Sequence, residues 1–232
     1  MNTTSSDTTP FTPMHVVWDW NGTIKDDLDD HVAALNATLP ALGGTPVDRD
    51  TYQAERILPL ADFYARLLGR EISERERETS DAAFLTHLRA QPVRLHGRAV
   101  ELLSLVQEAG HTQSLLSLCP HDTLVREVEE AGIGHFFTRI DGRTGPPGGS
   151  KAVPLARHLR ALGLTGRERR VLVIGDSLDD ADSAYANGAI GVLHSEGLHD
   201  RDRLAEDGYP VASSLAGALV VGCWLVRFRT LI

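Results

Sequence analysis

The sequence predicts an α/β fold: a parallel sheet with helices on both faces, interrupted after its first strand by an all-helical block. Three observations carry this expectation. From about residue 98 onward, short runs rich in Val, Ile, Leu and Phe alternate with stretches of helical periodicity, the pattern of strands joined by crossover helices. Two of the apolar runs, 14–19 and 171–175, lead into a carboxylate, Asp19 in one case and Asp176 in the other. Between Asp26 and about residue 93 no strand pattern stands out.

Taken in order, residues 1–13 are rich in Thr, Ser and Pro and have neither a basic start nor an apolar stretch. A disordered tail is expected there rather than a secretory signal. Strands are expected at 14–19, 112–117, 136–140, 171–175 and 189–193. Inside the block, Leu28, Val32, Leu35, Leu39 and Leu42 keep helical spacing until Pro40 distorts or ends the helix. Phe63, Leu67 and Leu68 mark a second helix and the charged stretch 73–89 a third. Hinges near 24–27 and 91–97 then divide the chain into a core, 14–25 with 94–232, and a helical cap, 26–93. In the core, helix 98–109 ends at Gly110, Asp122 is expected to cap 123–131, and Ser150 to cap 151–162. The apolar run 216–226 is too short to span a bilayer and is expected to be a buried helix or strand.

Composition narrows the function. The formal charge of −9 argues against a general nucleic-acid binder, whose affinity rests on clustered Lys and Arg. Cys119 and Cys223 stand far apart, which offers neither a disulfide framework nor metal-ligand spacing. A reducing cytoplasm, with no membrane partner, is the simplest reading. An anionic substrate then needs a locally positive pocket or a metal.

The residues that could meet such a substrate fall in four places. Asp19 ends the first strand and is followed by Asn21-Gly22-Thr23. A lone carboxylate at the carboxyl edge of a sheet lies where open α/β folds build their sites, and Gly22 allows close backbone approach. The same Asn-Gly pair is also a strong hairpin signal, so the segment alone divides between turn and site. Ser117 ends the second strand run, offering a hydroxyl. Lys151 opens a helix, where the macrodipole disfavours a cation, which suggests an anion nearby. A nucleotide-binding phosphate loop at 145–151 fails, because Lys151 follows Ser150 and precedes Ala152. Asp176, Asp179 and Asp180 follow Gly175; carboxylates suit a hard dication such as Mg²⁺, while Asp179 is read as solvated or a helix cap.

In order and type these four segments resemble the motifs of the haloacid dehalogenase-like hydrolase superfamily, whose core is Rossmann-like, and the helical insertion resembles its phosphoglycolate phosphatase-like branch. The resemblance spans roughly 14–215. It implies Asp19 as nucleophile and Mg²⁺ ligand, the Asn21 carbonyl and Asp176 as further ligands, and Asp180 as their companion. It also implies Gly22, Thr23, Ser117 and Lys151 as holders of the phosphate. A cap loop around 55–60 would set selectivity, with Arg56 as its anion contact. The implied reaction is hydrolysis of a small phosphorylated metabolite through an aspartyl-phosphate.

One residue departs from the pattern. Family phosphatases carry an aspartate where this chain has Asn21, and there it protonates the leaving group and later helps to activate water. An amide cannot exchange that proton, and losing a general acid–base typically costs about 10²–10⁴-fold in rate. The expectation is therefore a slow or leaving-group-selective phosphatase, or alternatively a phosphate-binding or regulatory protein. A receiver-like switch domain, which also uses an Asp, a hydroxyl and a Lys, is disfavoured by the helical insertion. The histidines show no paired ligand spacing and are assigned no role.

Overall fold

A computed structural model describes residues 13–57, 59–145 and 149–229. Most of the expected tail, and Leu58 of the selectivity loop, lie outside the described residues. Strand β1 (His15–Trp18) is central in a six-stranded, all-parallel sheet of order β3-β2-β1-β4-β5-β6. Its neighbours are β2 (Thr112–Pro120) and β4 (Val171–Gly175). Outside them run β3 (Ile140–Arg143), β5 (Ile190–His194) and β6 (Val211–Ala212). Alternation along β1 divides its side chains between the two faces. Val16 and Trp18 join α5 (Ala99–Glu108), α6 (His121–Glu130) and α10 (Leu215–Arg229) in one apolar cluster. Val17 faces the other way, toward α7 (Ala152–Ala161) and α8 (Leu178–Ala186). The short α9 (Arg201–Ala205) follows β5.

Between β1 and α5 the chain is helical: α1 (Leu28–Thr38), α2 (Arg49–Glu55), α3 (Leu60–Leu68) and α4 (Glu74–Arg89). Pro40 acts as expected, since α1 stops at Thr38 and a 3₁₀ turn, Leu39–Leu42, takes over. These helices bury their own apolar cluster, including Leu35, Tyr52, Phe63 and Phe84. Leu198, from the loop after β5, is buried in the same cluster. The two crossing segments pair with each other, Asp26 N donating to the Arg94 carbonyl and His96 N to that of Ile24, both at 2.9 Å.

Several local expectations need correction. Residues 136–140 do not form a strand: Gly134–Phe136 is a 3₁₀ turn and β3 begins at Ile140. The apolar run there is explained by Phe136 and Phe137 packing against the core cluster from a loop. Helix α6 starts at His121 behind Pro120, so Asp122 lies in its first turn and does not cap it. Ser150 accepts from Ala152 N at 3.1 Å, but Lys151 occupies the cap position of α7. The Lys151 amide is satisfied by Asp179, whose carboxylate oxygens lie at 2.9 and 3.2 Å. Helix α2, capped by Asp48 accepting from Thr51 N, and β6 were not expected. Helix α10 buries only one face, and Val220, Trp224 and Phe228 are exposed on it. No helix among the described residues is long and apolar enough to cross a membrane.

Under the sheet, polar groups form a line. Asp141 lies 2.7 Å from His158 Nδ1, His158 Nε2 lies 2.7 Å from Ser114 Oγ, and Ser114 Oγ lies 2.7 Å from His15 Nε2. The order carboxylate, imidazole, hydroxyl matches a hydrolytic triad. Ser114 and His158 are both 0% exposed, so no substrate reaches them and the line is structural. Burial, with His158 close by, pushes His15 down to about 4. An imidazole depressed below its unfolded value of about 6.5 contributes stability that is complete above that pH and is lost as pH falls toward 4. The expected loss between pH 7 and 5 is about 2 kcal/mol. Urea midpoints at the two pH values should show it, and His15→Gln, which cannot titrate, should flatten the slope.

Candidate functional site

Register brings the two strand-to-aspartate junctions together. Trp18 of β1 stands beside Ile174 of β4, and the next amide, Asp19 N, donates to the Ile174 carbonyl at 2.9 Å. Asp19 therefore emerges beside Gly175-Asp176 at the carboxyl edge of the sheet. Asp180, on the first turn of α8, completes the group: one oxygen from each of Asp19, Asp176 and Asp180 lies within 4.8 Å of the others, and all three residues are buried. Lys151 enters between them from the start of α7, its Nζ 2.6 Å from Asp19 Oδ1 and 2.5 Å from Asp180 Oδ1. Asp180 Oδ2 accepts from Ser177 N at 3.1 Å and Ser177 Oγ at 2.6 Å. Asp176 Oδ2 accepts from Leu198 N at 2.6 Å.

Glycines make room for this crowding. Gly22 has φ +72°, and a Cβ there would lie 2.2 Å from Asp176 Oδ2. A Cβ on Gly175 would lie 2.2 Å from Asp180 Cγ, and one on Gly197 2.4 Å from Asp176 Cβ. Gly22→Ala thus combines a left-handed backbone with a displaced carboxylate. It is expected to cost about 1–3 kcal/mol of stability and to lower activity far more than that loss alone explains. Thermal unfolding and turnover measured on the same preparation check this.

Burial dominates the electrostatics. It pushes Asp19 up to about 8, with Lys151 pulling downward and Asp180 and Asp176 adding repulsion. It pushes Asp176 up to about 7, again with Asp180 as the main charge acting in the same sense. Burial alone would lower Lys151, but the carboxylates of Asp180 and Asp19 outweigh it and hold the ammonium charged. Three carboxyl groups share one ammonium in a buried place, and two of them resist ionisation for want of further positive charge. Hard oxygen donors in that arrangement fit a divalent cation such as Mg²⁺.

The segment after Asp19 is fastened from below. Trp20 Nε1 donates to Glu127 Oε2 at 2.6 Å and Lys25 Nζ to Glu127 Oε1 at 2.9 Å. Asn21 does not hang free: its Nδ2 donates to Asp27 Oδ2 at 2.5 Å, while Gly22 N donates to Asp27 Oδ1 at 2.9 Å. Asp27 is buried, with His31 Nε2 at 3.5 Å and Lys25 Nζ at 4.0 Å. Burial would raise its pKa, but His31, the Asn21 amide and Lys25 together hold it below the ordinary carboxylate range.

Of the remaining residues expected at the site, Ser117 is buried on β2, next to β1, and its Oγ accepts from Cys119 N at 3.1 Å. Thr23 is fully buried and its Oγ1 lies 3.3 Å from His194 Nε2 of β5. Arg56, just past the end of α2, has Nε 3.2 Å from Tyr52 Oη and Nη1 3.1 Å from His199 Nε2. His199 Nδ1 in turn meets the Asp176 carbonyl at 3.0 Å. Sequence reasoning missed Asp27, His199 and the 195–200 loop. The doubled Asp26-Asp27 was a usable signal, because one of two adjacent acids after a tight turn often folds back on its amides. Nothing in the sequence marked His199.

A model of the haloacid dehalogenase-like hydrolase family matches residues 13–188. The phosphoglycolate phosphatase of Agrobacterium fabrum is 29% identical over 187 residues, covering 74% of this chain and 75% of that one. That of Chromobacterium violaceum is 24% identical over 205 residues, covering 83% and 89%. Among solved structures, a haloacid dehalogenase-like family protein from Streptococcus pneumoniae superposes with TM-score 0.75 at 19% identity, covering 90% of this chain and 98% of the other. A family IA, variant 3 hydrolase from Entamoeba histolytica gives TM-score 0.70 at 16% identity, covering 94% and 99%. The family model spans well over half of the sequence and the fold agrees along nearly its whole length: this chain belongs to the haloacid dehalogenase-like hydrolases.

Proposed function

We propose that this phosphatase hydrolyses a small phosphorylated metabolite of the phosphoglycolate type through an acyl phosphate formed on Asp19. The observation that carries the reading is the buried cluster in which Lys151 Nζ touches both Asp19 and Asp180 while Asp176 lies beside them. One Asp19 oxygen attacks phosphorus in line as the bond from phosphorus to the leaving oxygen breaks, and that oxygen takes its proton from solvent water because Asn21 has none to give. Water then attacks the same phosphorus, breaking the Asp19–phosphorus bond, releasing phosphate and a proton and restoring the carboxylate. Lys151, held charged between its two carboxylates, neutralises oxygens of the transferring group. The Ser117 hydroxyl, which accepts from Cys119 N, keeps its own proton to donate at this sheet edge, whereas Gly22 N is committed to Asp27.

Asp19, Asp176 and the Asn21 carbonyl would hold Mg²⁺, which supplies positive charge to the transferring phosphoryl group. Asp180 already serves Lys151 and Ser177 with its two oxygens, which suits a companion better than a direct ligand. Residues 26–93 act as a cap over this edge, with Arg56 facing the distal end of the substrate. Arg56 forms no salt bridge among the described residues and hydrogen-bonds only to Tyr52 and His199, which favours a substrate with a second anionic end. The competing reading, a binder that has lost catalysis, draws on Asn21 alone.

Phosphate release from phosphoglycolate and from other phosphorylated metabolites, with Mg²⁺ and with a chelator, tests the proposal. The expected outcome is turnover that requires the metal and prefers substrates with a second anionic group. Metal-dependent binding of phosphate without turnover of any ester favours the binder.

A further inference from the structure

The loop 195–200 belongs to the core by its chain connection, since it follows β5, yet it is built into the helical block. Leu198 buries its side chain in the apolar cluster of that block. Gln53 Nε2 of α2 donates to the Gly197 carbonyl at 2.7 Å. The same loop also grips the acidic turn. Leu198 N donates to Asp176 Oδ2, and Gly197 packs so closely that an added Cβ would lie 2.5 Å from the Gly22 carbonyl. The segment therefore touches the candidate metal ligand and the cap together.

His199 is the hinge point of this arrangement, and its hydrogen bonds fix its chemical state. A guanidinium only donates, so the Nε2 that faces Arg56 Nη1 at 3.1 Å accepts. The proton then sits on Nδ1, which donates to the Asp176 carbonyl at 3.0 Å. The two contacts together hold the imidazole neutral in this single tautomer. On its far side, Arg56 is held by Tyr52 Oη, which also lies 3.1 Å from His31 Nδ1, and His31 approaches Asp27. A continuous line of contacts, buried except where Asn21 and Arg56 are partly exposed, thus runs from the turn after Asp19, through α1 and α2, to the turn that presents Asp176.

We infer that His199 is a positioning residue that holds the Asp176 turn and the Arg56 guanidinium in one line, so that Mg²⁺ binding and recognition of the substrate's distal anion are coupled through it. The inference rests on the phosphatase reading for what the two ends bind. Partners behind a metal ligand typically govern about 10–100-fold in metal affinity, and that is the scale expected here.

Calorimetric titration with Mg²⁺, alone and with glycolate as the probe of the distal anion, tests this on the full chain and three variants. The parent should bind Mg²⁺ more tightly with glycolate than without, and His199→Leu should lose that gain. His199→Leu should weaken Mg²⁺ by about tenfold or more and raise KM. His199→Gln, whose amide can both donate and accept, should stay within about threefold of the parent. Arg56→Leu separates the line from simple charge. Removing a positive charge near Asp176 tightens a dication through space, whereas loss of the positioning line weakens it. If His199→Leu is misfolded by circular dichroism, the Arg56→Leu and His199→Gln arms decide. Parent-like Mg²⁺ affinity in folded His199→Leu, or tighter binding in Arg56→Leu, overturns the inference. A parent that binds Mg²⁺ in the expected manner but hydrolyses no ester refutes the phosphatase reading and leaves the coupling standing. A parent that binds no Mg²⁺ overturns both.

Discussion

Asp19→Asn is expected to lower turnover by about 10⁴-fold or more while leaving the fold intact. An amide oxygen can still coordinate weakly, but it is a poor nucleophile and carries no negative charge to be shared with phosphorus. Lys151 would keep its contact with Asp180 at 2.5 Å, so its ammonium stays paired in the variant. Burial already works against ionisation of Asp19. Replacing it with a neutral isostere should therefore leave the thermal midpoint close to that of the parent, or raise it, as often happens when a strained active-site charge is removed. Turnover of p-nitrophenyl phosphate together with a melting curve checks both halves. Retained turnover in a folded variant contradicts the assignment.

The second large effect is expected at Asn21 and depends on Asp27. Nδ2 of Asn21 and Oδ2 of Asp27 are 2.5 Å apart. Two carboxylates so close cannot both ionise, so Asn21→Asp installs a shared proton. Asp27 also receives the Gly22 amide and lies near His31 and Lys25, which favour its ionised form. The proton should therefore reside on residue 21. That is a general acid for the leaving alcohol, but its raised pKa keeps it protonated at neutral pH, so little of it is in the ionised form that the second step needs as a base. Alkyl phosphates, whose leaving groups need protonation, should gain about 10²-fold in Asn21→Asp. p-Nitrophenyl phosphate, whose leaving group needs little help, should gain far less.

Asn21→Asp with Asp27→Asn restores a donor opposite a single carboxylate. The acidic limb of its pH–rate profile should move to lower pH than in Asn21→Asp alone. Equal gains on alkyl and aryl esters would show that residue 21 does not face the leaving group.

The fold class was legible because its signals are local and repeated. Strands β1, β4 and β5 are short runs rich in Val, Ile and Leu, and each crossover helix shows its stripe and its terminating glycine. The clustering of Asp19, Lys151, Asp176 and Asp180 was legible in outline, since parallel strands that end in aspartates must deliver them to one edge. Strand β3 was misplaced because Phe136 and Phe137 are apolar for packing from a loop, which periodicity cannot distinguish from a strand. Helix α2 was missed because it is short and buries only Tyr52. The pairing of Asn21 with Asp27 depends on a turn closing through Gly22. The line through His199 joins residues more than 140 positions apart. Neither has a periodic signature, and only tertiary geometry reveals them.

Reductive trapping at position 19 addresses the covalent step most directly. Protein quenched during turnover of an ester with Mg²⁺, then treated with borohydride, should carry homoserine at position 19 in peptide maps, and none when substrate or metal is omitted. Sustained turnover with residue 19 still aspartate throughout, or with the reduced residue at another carboxylate, would contradict the account.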